Sequence, residues 1–149
     1  FEVQRQILAQ PGSAVQDRTI YEDVEIFAPT LYRRGCMDDR DYENYREIFR
    51  NMTAFLHPPD LILYLQCRPE TALDRIRQRG RSCESEIPLD FLRDLDAAYL
   101  DWIERAPALC PVRTLDTEKV NLRDDAAAQS ELLGIIREFH LEKHERAST

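Results

Sequence analysis

Residues 58–89 read PPDLILYLQCRPETALDRIRQRGRSCESEIPL, and their order decides the fold class. Leu61, Ile62, Leu63, Tyr64 and Leu65 form a near-continuous apolar run behind Pro58-Pro59. A strand that is apolar at every position is one covered on both faces, as in a parallel sheet. Arg68-Pro69-Glu70-Thr71 then opens a helix. Pro69 suits its first position, where the missing N–H leaves no bond unmade. Gly80 suits the residue just past its end, where a left-handed backbone is needed. Arg75 and Arg79 are four apart and share one helix face. Arg77 lies between them, and Arg81 follows in a polar loop with Glu84 and Glu86.

This arginine cluster has two readings. Basic residues near a helix C-terminus complement its dipole and stay solvated. Alternatively they clamp phosphate, because arginine offers a planar fork of donors and never loses its charge. The position of the cluster, after a buried strand and its helix, favours the clamp.

Upstream of this segment, residues 1–10 read as a helix with Phe1, Val3, Ile7 and Leu8 apolar, ended by Pro11-Gly12. Residues 13–16 read as a short strand with Asp17-Arg18 at its C-terminal end. Ligands of open parallel sheets bind beyond the carboxyl ends of strands, so both residues are site candidates; the rival reading is a surface ion pair with a helix cap. Ile20, Val24, Phe27, Ala28 and Leu31 form a helical stripe, which Pro29 should kink. Asp38 is placed to cap a further helix carrying Tyr42, Tyr45, Ile48, Phe49, Met52 and Leu56. Downstream, Pro88 opens a helix carrying Leu92, Leu95, Tyr99 and Trp102, and residues 107–111 break it. Val112 to Asp116 is a third strand. Asp124 should cap a last helix carrying Leu132, Leu133, Ile136 and Phe139, with a tail that frays from Glu142. Strands alternating with helices predict an α/β fold with a parallel sheet.

At 149 residues the chain is one domain's worth. Its net charge of −8 speaks against a nucleic-acid polymer as partner but not against a mononucleotide, which needs only a local basic pocket. Cys36, Cys67, Cys83 and Cys110 are widely spaced, which suggests free thiols in a reducing cytoplasm rather than a zinc site or disulfide framework. No apolar run approaches a membrane-spanning length.

Two motifs carry a resemblance that covers essentially residues 1–149. The first is Asp60-Leu-Ile-Leu-Tyr-Leu, Pro69-Glu-Thr, Arg75-Ile-Arg-Gln-Arg-Gly-Arg and Ile87-Pro-Leu-Asp-Phe-Leu. The second is Gln16-Asp-Arg-Thr-Ile-Tyr-Glu-Asp23. Together they resemble the deoxynucleoside kinases, most closely the bacterial deoxyadenosine/deoxyguanosine kinases. The resemblance implies a P-loop-kinase-like parallel sheet flanked by helices, with a lid at about residues 75–87. The implied reaction moves the γ-phosphoryl of ATP to the 5′-hydroxyl of a deoxynucleoside. Arg18 matches the arginine that holds the 5′-hydroxyl region, and Asp17 the acid that touches the Mg²⁺ water shell. Arg75, Arg79 and Arg81 match the lid arginines that neutralise the transferring phosphates. Glu84 matches the acid that accepts from the sugar 3′-hydroxyl. Asp23 matches the reader of the base edge, and its acidity implies deoxyadenosine or deoxyguanosine, with deoxycytidine as the alternative. Phe27 matches the aromatic that stacks on the base, although an aromatic on a helical stripe also fits plain core packing. Asp116 begins the loop matched to the ATP base. A homodimer of the intact protein is implied too. Thr19 replaces the motif serine, and Cys83 stands where many relatives carry a second lid glutamate.

The family opens with a strand and a Gly-x-x-x-x-Gly-Lys-Ser/Thr loop whose backbone N–H groups cradle phosphates. Gly12, Gly35, Gly80 and Gly134 are the glycines here, and none precedes a lysine. The resemblance therefore implies that residues 1–149 correspond to the C-terminal three-quarters of a kinase and are inactive alone. The rival class is a non-catalytic scaffold that keeps the kinase fold. A thymidylate-type kinase would share the lid, but the residue 17–23 motif fits it poorly. Three convergent arginines favour the enzyme, since their mutual repulsion has no purpose without a phosphate between them.

Overall fold

Residues 2–9, 12–84 and 86–147 are described by the computed structural model. Phe1 and Pro11, expected at the two ends of the opening helix, lie outside them. Helix α1 spans Glu2–Leu8. Two compact units follow from the packing: Phe1–Pro58 with Asp90–Arg105, and Pro59–Leu89 with Ala106–Thr149.

In the first unit, α2 (Ile20–Glu22), a π-helical turn (Asp23–Phe27) and α3 (Ala28–Arg33) form one helical run. The Thr19 N–H donates to Glu22 Oε2 at 2.8 Å, which satisfies one orphan donor at the helix start. The kink expected from Pro29 takes the form of this π turn. Proline has no N–H for the α-helical ladder and its ring crowds the carbonyl four residues back, so the wider turn absorbs the mismatch. Helix α4 spans Asp39–Thr53, and Asp38 caps it as expected, accepting from the Asp41 N–H at 2.8 Å. Helix α6 spans Leu89–Arg105. Ile26 and Thr30 are fully buried, with Tyr21, Val24, Ala28, Ala98 and Trp102 also buried. Burying an isoleucine side chain of this kind stabilises by about 1.5–3 kcal/mol. The Tyr21 ring meets Phe49 edge-on at 5.8 Å, tying α2 to α4.

In the second unit, strands β1 (Ile62–Gln66) and β2 (Val112–Asp116) pair in parallel, Ile62 opposite Val112 and Gln66 opposite Asp116. Helix α5 (Pro69–Arg79) starts on Pro69 and ends on Gly80 at φ +66°, both as the sequence requires. A 3₁₀ turn at Ser82–Glu84 follows. Helix α7 runs Ala126–Ala147. Leu73, Cys110, Leu115 and Ala128 are buried here.

Four expectations need correction. Residues 13–16 take no regular secondary structure and join no ladder among the described residues, and Val15 is 89% exposed. A strand needs a partner edge for its backbone groups, and among the described residues the sheet has two strands, not three. Strand β1 is not covered on both faces, because Leu65 is 46% exposed. The α7 cap is Asp125, whose Oδ1 accepts from the Ala127 and Ala128 N–H groups, while Asp124 accepts from the Asn121 side chain. The helix also continues past Glu142 instead of fraying there.

Candidate active site

In the first unit, the turn before α2 holds Arg18 at φ +60°, the left-handed region. This conformation costs an L-residue roughly 1–2 kcal/mol. It turns the Arg18 guanidinium over the Phe27 ring, 4.9 Å from its centroid. Two candidates ten or fewer residues apart in sequence are thereby brought together. Asp17 is exposed and makes no hydrogen bond or ion pair among the described residues. Asp23 and Phe27 open and close the π turn, where the Ala28 N–H donates to the Asp23 carbonyl. A π turn has more than four residues per revolution, so residues four apart lie close to one face, and such turns recur at functional sites. The Tyr45 phenol is held above its usual pKa by burial and, second, by the Asp23 carboxylate.

In the second unit, the arginines of α5 have different partners. Arg75 points to the segment after β2, donating to the Thr117 carbonyl, to Thr117 Oγ1 at 3.2 Å and to the Val120 carbonyl at 3.0 Å. Arg79 lies beyond it and donates from Nε (3.0 Å) and Nη2 (2.6 Å) to Glu84 Oε2. Arg81 reaches Glu84 Oε1 at 3.5 Å. Glu84 thus gathers two guanidiniums just past the end of α5, and its side chain is only 19% exposed. Asp116 closes β2 and accepts the Glu118 N–H at 2.8 Å.

This unit also holds a brace that the sequence reading missed. The Glu118 carboxylate accepts from the Arg68 N–H and Nε, both at 2.8 Å, and from the Thr71 hydroxyl at 2.6 Å. The Arg68 side chain, then the Arg68 N–H, then Thr71 hold the Glu118 carboxyl down at about 2. A signal existed. Gln66 and Asp116 are paired strand ends, and Arg68 and Glu118 each lie two residues beyond them. Opposite charges at equal offsets past neighbouring parallel strands meet.

A sequence model described as deoxynucleoside kinase matches residues 1–140. The chain belongs to the deoxynucleoside kinase family. A deoxyadenosine kinase of Dictyostelium discoideum is 43% identical over 112 residues, covering 75% of this chain and 45% of the relative. A deoxyadenosine/deoxycytidine kinase of Bacillus subtilis is 37% identical over 127 residues, covering 84% of this chain and 58% of the relative. The chain spans about half the length of these curated relatives. The solved deoxyadenosine kinase of M. mycoides with bound dCTP superposes with a TM-score of 0.68 at 28% identity, covering 81% of this chain and 61% of that one. The α/β architecture expected from the sequence is therefore that of a deoxynucleoside kinase. The match spans both clusters described above, Asp17 to Phe27 and Arg75 to Glu84.

Proposed function

We propose that the protein carrying this chain is a deoxynucleoside 5′-kinase of nucleotide salvage, with ATP as donor and a purine deoxynucleoside as preferred acceptor. The observation that carries this reading is the convergence of Arg79 and Arg81 on Glu84 just past α5, within a member of this family. In the transfer, the acceptor 5′-hydroxyl gives its proton to a general base of the whole protein and its oxygen bonds to the γ-phosphorus, as the bond from that phosphorus to the ADP oxygen breaks. Charge shifts onto the departing oxygens, and positioned guanidiniums offset it. Arg79 and Arg81 exchange their bonds to Glu84 for the phosphate oxygens, which frees Glu84 to accept the sugar 3′-hydroxyl. Arg75 acts at one remove, because its donors hold the segment after Asp116, which borders the ATP base. Asp23 accepts from the base edge, Phe27 stacks on the base and Arg18 orients the 5′-hydroxyl. The free Asp17 carboxylate suits a Mg²⁺ ion, which is commonly held by one or two carboxylates plus substrate phosphates and offsets their charge when bound. A cytoplasmic homodimer is part of the same reading; exposed Ile48 and Leu100, on α4 and α6, are apolar surface that a second copy can cover.

The test is steady-state kinetics on the whole protein. Arg79→Ala and Arg81→Ala should each lower kcat, by up to about 10³-fold, with smaller effects on KM. Near-wild-type kcat in both variants returns these arginines to a solvated face. A substrate panel in which thymidine gives the highest kcat/KM overturns the purine preference.

A further inference from the structure

A cavity of about 340 Å³ lies inside the first unit, between the π turn and α3 on one side and α4 and α6 on the others. It includes none of Asp17, Arg18, Asp23 or Phe27. Its charged lining is four arginines, Arg33, Arg46, Arg50 and Arg105, against two carboxylates, Glu25 and Asp101. Arg105 is matched by Glu25 at 3.2 Å and Asp101 at 3.8 Å. Arg46 is matched by Glu43 at 3.3 Å. Arg33 reaches only the Thr30 hydroxyl, at 3.1 Å, and Arg50 has no carboxylate partner among the described residues. Two guanidiniums therefore line one concavity without an ion-pair partner of their own among the described residues, in a chain whose net charge is −8. Each sits in the last turn of its helix, where the dipole tolerates a cation. That explains why the charges are tolerated, not why they line the same cavity. The rest of the wall is Tyr42 together with apolar Val24, Pro29, Phe49 and Ala98.

From this arrangement we infer a binding site for a small phosphorylated molecule. Two guanidinium forks without carboxylate partners match the charge and donor pattern of a phosphate dianion. The apolar wall receives the ligand's uncharged part. The volume falls at the lower end of small-molecule sites, which run from about 300 to 1,000 Å³, so the occupant is a mononucleotide-sized phosphate ester or smaller. The proposed site does not rest on the kinase reading, since its lining takes Val24 and Glu25 from the π turn but none of Asp17, Arg18, Asp23, Phe27 or the residue 75–87 segment.

Two probes test it on the whole protein by calorimetry at low salt, with inorganic pyrophosphate reporting on the arginines alone and a nucleoside monophosphate adding the apolar wall. Binding of either probe should persist in the Arg79→Gln/Arg81→Gln variant, which removes the lid's competing cations. Binding should fall by about tenfold or more in Arg33→Gln/Arg50→Gln, the scale of lost charge-assisted hydrogen bonds. Arg33→Lys/Arg50→Lys should recover part of it. Both arginines are exposed, and matching thermal melts will verify that these variants stay folded. In an NMR titration the shifts should appear at the Arg33 and Arg50 side-chain N–H groups. The inference is overturned if neither probe binds once the lid arginines are gone, or if Arg33→Gln/Arg50→Gln binds within twofold of the parent.

Discussion

Arg18 adopts φ +60°, the one positive φ of a non-glycine residue among those described, and lays its guanidinium over Phe27. Strain of this sort persists where the surroundings over-determine it, and it collects at functional sites. The contact also bears on the two readings of Phe27. A core phenylalanine has its ring faces against apolar neighbours, whereas this ring is half-buried and carries a cation on one face. A nucleoside base can take the place of that cation. Phe27→Ala should therefore weaken deoxynucleoside binding by about 1–3 kcal/mol, the usual worth of base–aromatic stacking. A change in melting temperature with KM untouched would restore plain packing. Glu118 makes a second residue-scale case. Its carboxyl is held at about 2, below the ordinary 4.5, so the ionised form is favoured by folding. The stabilisation is complete above about pH 4.5 and is lost as the pH falls through about 2. Melts of the parent and Glu118→Gln should show a gap at neutral pH that narrows below pH 4.5. A gap of constant size through that acid range would mean the brace does not depend on the charge.

Elements differ in how far their own residues specify them. Helix α5 was fully legible: Pro69 at its start and Gly80 past its end each have a local reason that no packing overrides. Gly80 can be tested directly. A Cβ there meets nothing within 4 Å, so Gly80→Ala adds no clash and only the left-handed backbone is penalised. The expected loss is about 1 kcal/mol by urea unfolding, with Gly80→Asn losing less; an unchanged midpoint for Gly80→Ala would contradict the αL assignment. Other elements depend on distant partners and were less legible. Residues 13–16 have strand-like sequence but no neighbouring edge among the described residues, so they stay unpaired. The π turn was visible only as a kink at Pro29, because sequence periodicity does not distinguish a bend from a widened turn. Candidate site residues divide the same way. The positions from Asp17 to Phe27 and from Arg75 to Glu84 were proposed from the resemblance their motifs carry. The partners of Arg75, and the whole Glu118 brace, required the register of β1 against β2. Aspartates 124 and 125 are both acceptable caps by type, and only the geometry of the Ala127 and Ala128 N–H groups chooses Asp125.

At the scale of the molecule, the question is what residues 1–149 can do by themselves. Their arginines attract phosphate, but attraction is not alignment. Holding a γ-phosphoryl in line takes a cradle of backbone N–H groups and a lysine, and no Gly-x-x-x-x-Gly-Lys occurs in this sequence. The fold has a matching weakness. Strand β1 pairs only with β2 among the described residues, which leaves its other edge without a ladder, and Leu65 beside it is 46% exposed. An open edge with apolar side chains is a template for pairing with another chain. The purified 149-residue chain should therefore show no measurable phosphoryl transfer, bind ATP weakly and self-associate in sedimentation runs. A longer chain that includes a phosphate loop upstream in the same reading frame should be soluble and active, because the added strand covers the edge and the loop aligns the donor. Robust turnover of ATP and a deoxynucleoside by the 149-residue chain would show that the donor is aligned by groups already present here, with Arg79 and Arg81 the first to mutate.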